Sequence, residues 1–99
     1  MPAVAERSLA TLRREIAEHL RGVRQRLAEE IRTYPTPIPR CDAQFNHLYE
    51  QQGRLARELD RLEPTRESIG RFIASAPYTD DPAEREFRSR VKAALAALR

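Results

Sequence analysis

The chain has 99 residues, 40 % of them hydrophobic and 33 % charged, with a net charge of +3. That size suits one domain with one modest core, and the composition is that of a folded chain rather than a disordered one. No apolar run approaches the roughly 18–20 residues that cross a bilayer, and the opening Met1-Pro2-Ala3-Val4-Ala5-Glu6-Arg7 lacks the apolar stretch of a secretory signal, so neither a membrane role nor export is expected.

A first helix is predicted from about Ala5 to Thr33. Its large apolar residues are Leu9, Leu12, Ile16, Leu20, Val23, Leu27, Ile31 and, just past the end, Tyr34, in steps of 3, 4, 4, 3, 4, 4 and 3. This eleven-residue repeat is close to the period of a straight α-helix, so the stripe stays on one side. Such a helix is roughly 40 Å long. Arg7, Arg14, Arg21 and Arg32 lie opposite the stripe, with Glu18 and Glu29 beside them. His19 borders the stripe and reads as a boundary residue rather than a ligand.

The segment Tyr34-Pro35-Thr36-Pro37-Ile38-Pro39-Arg40 ends this helix. Prolines at alternate positions favour a stiff, extended connector. A second helix is predicted from about Asp42, its N-cap, to Glu63. Cys41, Phe45, Leu48, Gln52, Leu55, Leu59 and Leu62 are spaced by 4, 3, 4, 3, 4 and 3, a heptad seam with one polar member. A narrow seam suits pairing with one other helix, so a long antiparallel hairpin is the expected arrangement.

Pro64 stops the second helix. A short third helix, about Thr65 to Ala76, places Ile69, Phe72, Ile73 and Ala76 on one face. A turn at Pro77-Tyr78-Thr79-Asp80 follows. Asp81-Pro82-Ala83-Glu84 is a strong start signal, with the cap, the proline at the first helical position and the acid at the third. The fourth helix, from Pro82 to about Leu98, carries Phe87, Val91, Ala94, Leu95 and Leu98 on its apolar side. No strand-like alternation occurs. The expected fold is all-α, a single domain (1–99) in which a long antiparallel hairpin and two shorter C-terminal helices form a small bundle.

The segment richest in chemistry is Arg40-Cys41-Asp42-Ala43-Gln44-Phe45-Asn46-His47-Leu48-Tyr49. On a helix Asp42, Asn46, Tyr49 and Gly53 share a face, and Gly53 leaves a notch there. Arg40, Cys41, Asp42, Gln44, Asn46, His47 and Tyr49 are therefore the candidate recognition site, set against the plainer reading that they cap a helix start. The Cys41–His47 spacing fits no zinc pattern, and no third ligand stands at usable spacing, so no metal or other cofactor is expected. With a single cysteine no intrachain disulfide can form, and a reducing, cytoplasmic setting is expected. Nucleophile-elbow, zinc-protease, P-loop and dinucleotide motifs are all missing from the sequence, and no catalytic residue is assigned.

Of the 18 basic residues all but Lys92 are arginine. Alongside many alanines and leucines, that skew fits GC-rich bacterial coding. On the fourth helix Arg85, Arg88, Lys92 and Arg99 form a stripe that is the candidate anion or nucleic-acid contact, read against a solvated helix face. The first functional reading is a helical protein–protein interaction module, self-associating as a homodimer or paired with a helical partner. The alternatives are nucleic-acid association through the fourth helix, and a ligand or catalytic site at the connector and second-helix start.

Overall fold

The computed structural model describes residues 8–34 and 43–98. Within them lie four helices and no strand: α1 (Leu9–Thr33), α2 (Ala43–Arg61), α3 (Arg66–Ala74) and α4 (Pro82–Ala97). The proposed helical start at Ala5–Arg7, the proline connector, Arg40, Cys41, the Asp42 cap and Arg99 lie outside the described residues.

α1, α3 and α4 each begin where a side chain replaces a missing backbone acceptor. Ser8 accepts from the Thr11 amide at 3.0 Å and is the N-cap from which α1 begins at Leu9. Thr65 accepts from the Ser68 amide at 3.1 Å and serves as the cap of α3, outside the helix rather than its first residue. Asp81 accepts from the Ala83 amide at 2.9 Å, and Pro82 opens α4 as expected. Prolines follow the ends of α1 and α2. Tyr34, which precedes Pro35, is extended (φ −63°, ψ 135°). α2 stops at Arg61, short of Glu63, because Pro64 follows and the chain tightens through a Leu62 amide to Leu59 carbonyl bond of 3.4 Å.

α1 and α2 run in opposite directions past one another. At one end the Tyr34 and Phe45 rings meet edge to face at 5.3 Å. At the other, Arg13 Nε donates to the Leu62 carbonyl at 3.4 Å. The α1 stripe is the floor of the core, with Leu12, Ile16, Leu20, Val23 and Leu27 buried. Leu48, Leu55 and Leu62 of the heptad seam cover one side, and Ile69, Phe72, Tyr78 and Val91 from the C-terminal half cover the other. Each fully buried aliphatic side chain contributes roughly 2 kcal/mol of transfer free energy. The result is a rod of 56 × 21 × 19 Å. Among the described residues Tyr49 is the exposed large hydrophobic one, at 51 %. No described helix is long and apolar enough to cross a membrane.

Candidate functional site

Two polar constellations stand out, one sealed and one open. The sealed one begins with Glu84, whose place in the start signal of α4 suggests a carboxylate that folds back onto its own helix cap. Instead it is buried, at 2 % exposure, and turns inward. Its Oε2 accepts from the Tyr78 amide and pairs with Arg88 Nη2 at 3.3 Å. Its Oε1 lies 3.5 Å from His19 Nε2 of α1. At 3.5 Å that last contact is at the long limit of a hydrogen bond, and its attraction is mainly between charges. The His19 ring stacks on Phe87 with centroids 4.1 Å apart. Burial holds the His19 pKa below its usual value of 6.5, outweighing the Glu84 carboxylate that raises it, with Arg26 and Arg88 adding to the depression.

Arg88 joins this carboxylate to the end of α3. Its Nη1 donates to the Phe72 carbonyl at 2.7 Å, the Ser75 carbonyl at 2.8 Å and Ser75 Oγ at 3.2 Å, and its Nη2 to the Ala76 carbonyl at 3.2 Å. The guanidinium also stands over the Phe72 ring at 4.4 Å. Arg54 of α2 completes the arrangement, lying 4.0 Å over the Tyr78 ring and donating to the same Ala76 carbonyl. The Tyr78 hydroxyl donates to Glu58 Oε1 at 3.2 Å. Burial first, and the Glu58 carboxylate second, push the Tyr78 phenol up to about 12, against the opposing pull of Arg54. The cluster ties all four helices together and presents neither an activated nucleophile nor an open face for a reactant.

The open constellation runs along the outer flank of α2. A shallow cleft of about 480 Å³ is lined by His47, Tyr49, Glu50, Gln51, Gly53, Arg54 and Arg57. It shares Arg54 and Arg57 with a second cleft of about 260 Å³, where Glu58 and Arg61 of α2 face Arg71 and Ser75 at the end of α3. Arg57, Arg61 and Arg71 are exposed and make no ion pair or side-chain hydrogen bond among the described residues.

Of the residues singled out in the sequence, His47 and Tyr49 join this flank. Gln44 and Asn46 are exposed but do not line it, while Arg40, Cys41 and Asp42 lie outside the described residues. Arg88 is a correction: read as part of an exposed basic stripe, it is 6 % exposed and occupied by backbone carbonyls and Glu84, so it is not offered to a phosphate. Arg85 and Lys92 remain exposed, and Arg99 lies outside the described residues. Sequence reasoning missed Arg54, Arg57, Arg61 and Arg71. The first three do share a helix face at i, i+3 and i+7, a signal masked by the intervening Glu58 and Asp60, whereas Arg71 is brought to them by the fold. Among the described residues no three His, Cys, Asp or Glu side chains gather as a metal site. Comparison with known protein families, with curated proteins and with solved structures gives no match for this chain.

Proposed function

We propose that this protein is a non-catalytic helical interaction module that docks an acidic segment of another protein on the outer flank of α2 and the end of α3. The observation that carries this reading is the continuous flank from His47 to Arg71, with exposed Tyr49 at one end and the unpaired Arg57, Arg61 and Arg71 at the other. Tyrosine and arginine are the residues that most often anchor protein interfaces, whereas a phosphate-tracking surface favours uninterrupted positive charge. Glu50 and Glu58 interrupt this one. A second copy of the same chain is a poorer occupant. A two-fold interface on this flank sets arginines against their own counterparts, and burial leaves little apolar surface among the described residues to drive self-association.

The test is capture from the native host with the intact chain as bait, repeated with Tyr49→Ala, with Arg57→Glu/Arg61→Glu and with Arg85→Glu, an exposed arginine of α4 that lines neither cleft. The reading requires the same partner to be lost with the first two variants and kept with the third. A partner that ignores the α2 substitutions, or a dimer by light scattering that the Arg57→Glu/Arg61→Glu variant leaves intact, overturns it.

A further inference from the structure

The smaller cleft, where α2 meets the end of α3, has six lining side chains that fall into two groups. Three are already occupied within the fold. Arg54 donates to Gln51 and Ala76, Glu58 accepts from Tyr78, and the Ser75 hydroxyl donates to the Phe72 carbonyl at 2.6 Å. The other three, Arg57, Arg61 and Arg71, line the cleft and have no ion-pair or hydrogen-bond partner among the described residues. Three like charges on one cleft repel one another, and an anion relieves that repulsion.

We propose that Arg57, Arg61 and Arg71 form a binding site for a phosphoryl group. The donor geometry selects the ligand. Each guanidinium offers a planar fork, and one planar carboxylate satisfies one such fork through its two oxygens. A phosphoryl group presents three terminal oxygens in different directions and about two negative charges near neutral pH, which matches three forks approaching from two helices. Glu58 also faces the cleft and opposes any anion, so the site takes a single compact group and rejects an extended polyanion. The group is supplied either as free phosphate or on a phosphorylated side chain of a partner. The site lies within the docking face proposed above and depends on that reading only for the second source.

The experiment follows the arginine side-chain Nε–Hε signals of the intact, isotope-labelled protein while inorganic phosphate is added, with chloride at matched ionic strength as the control. The expected result is a saturable shift at Arg57, Arg61 and Arg71 with phosphate, no shift with chloride, and loss of saturation in Arg71→Gln. Equal, unsaturable shifts with both salts overturn the proposal. A glutamate-rich peptide is then compared with and without one phosphoserine. A phosphopeptide that binds about tenfold more tightly, the worth of one further charged hydrogen bond, assigns the group to a partner. Saturation by phosphate with no preference between the peptides assigns it to the free ion. Failure of the docking face is read separately, as partner capture that survives Tyr49→Ala while phosphate still saturates.

Discussion

Replacing Arg88 by methionine is the sharpest test of the sealed cluster. Methionine keeps most of the aliphatic stem against Phe72 and removes the guanidinium. The carbonyls that Arg88 caps do not all lose their donors. The Phe72 carbonyl keeps the Ser75 amide at 3.1 Å and the Ser75 hydroxyl at 2.6 Å, and the Ala76 carbonyl keeps Arg54. Among these acceptors only the half-buried Ser75 carbonyl is left without a donor, and water can reach it. The dominant loss is therefore at Glu84, a carboxylate buried to 2 % exposure whose charge partner disappears. Breaking such a buried pair costs about 3–5 kcal/mol, against a total stability of about 5–15 kcal/mol for a domain of this size. In thermal unfolding followed by far-ultraviolet circular dichroism this corresponds to a fall of about 15–25 °C in Tm. An internal control exists in Arg90–Glu86, an i, i+4 pair of the same helix at 3.2 Å whose side chains are 62 % and 71 % exposed. Arg90→Met is expected to cost less than about 1 kcal/mol. The double variant Glu84→Gln/Arg88→Met is expected to recover part of the loss, because the uncompensated charge is gone. If Arg88→Met lands within about 1 kcal/mol of Arg90→Met, the buried pair is not what holds α4 to α3, and the reasoning fails.

The remaining predictions concern titration and helix propensity. Because the folded state holds the His19 pKa below its unfolded value of 6.5, the unfolded chain binds the proton more readily, and stability falls as pH drops below 6.5 until the folded value is passed. Urea midpoints of wild type and His19→Gln across this window should diverge, the variant falling less; identical slopes would remove His19 from the account. The Tyr78 phenolate, measured as the difference in alkaline absorbance between wild type and Tyr78→Phe, should have its midpoint near pH 12. Loss of the hydroxyl bond to Glu58 should destabilise Tyr78→Phe by about 1 kcal/mol in the same urea assay. A Cβ at Gly53 would meet Arg57 Nη1 at 3.5 Å, an ordinary contact, and one at Gly70 would meet nothing within 4 Å. Alanine at either position should raise stability by roughly 0.5–1 kcal/mol, and a partner that needs the Gly53 notch would show itself by losing Gly53→Ala alone.

The parts of the fold that follow a period or a cap were legible in the sequence. The α1 stripe from Leu12 to Leu27 is buried, and Leu48, Leu55 and Leu62 of the seam are buried with it, because a residue's place on a helix is fixed by spacing alone. Asp81 and Pro82 open α4 because capping chemistry is local. Glu84 and Arg88 were not legible. Their spacing is identical to that of Glu86 and Arg90, yet one pair is sealed and the other solvated. The difference is set by the end of α3, which contributes carbonyls from residues 12 to 16 positions away in the chain. The candidate recognition segment was half legible. His47 and Tyr49 reach the open flank, while the arginines that define its chemistry carry no local mark that separates them from their neighbours.

The arginine excess has a structural use. No described residue has a positive φ, so no helix here ends in the glycine cap that usually satisfies its last carbonyls. Alongside local bonds, carbonyls at the ends of α2, α3 and α4 are met from other elements. Arg13 of α1 donates to Leu62 just past the end of α2, Arg88 of α4 to the end of α3, and Arg66 of α3 to Leu95 and Leu98 at the end of α4. Each of these bonds both completes a helix terminus and fastens it to a different helix. Lysine reaches such sites as a single ammonium and cannot span several carbonyls with a rigid fork, so Lys at position 88 would keep the charge beside Glu84 and lose the bridge across Phe72, Ser75 and Ala76. The same accounting separates working arginines from spare ones. Arg13, Arg54, Arg66 and Arg88 are occupied by the fold, whereas Arg57, Arg61 and Arg71 satisfy no terminus and no carboxylate among the described residues. In a chain that uses guanidinium groups to hold its helices together, three unoccupied ones on a single cleft are the surface most suited to a ligand.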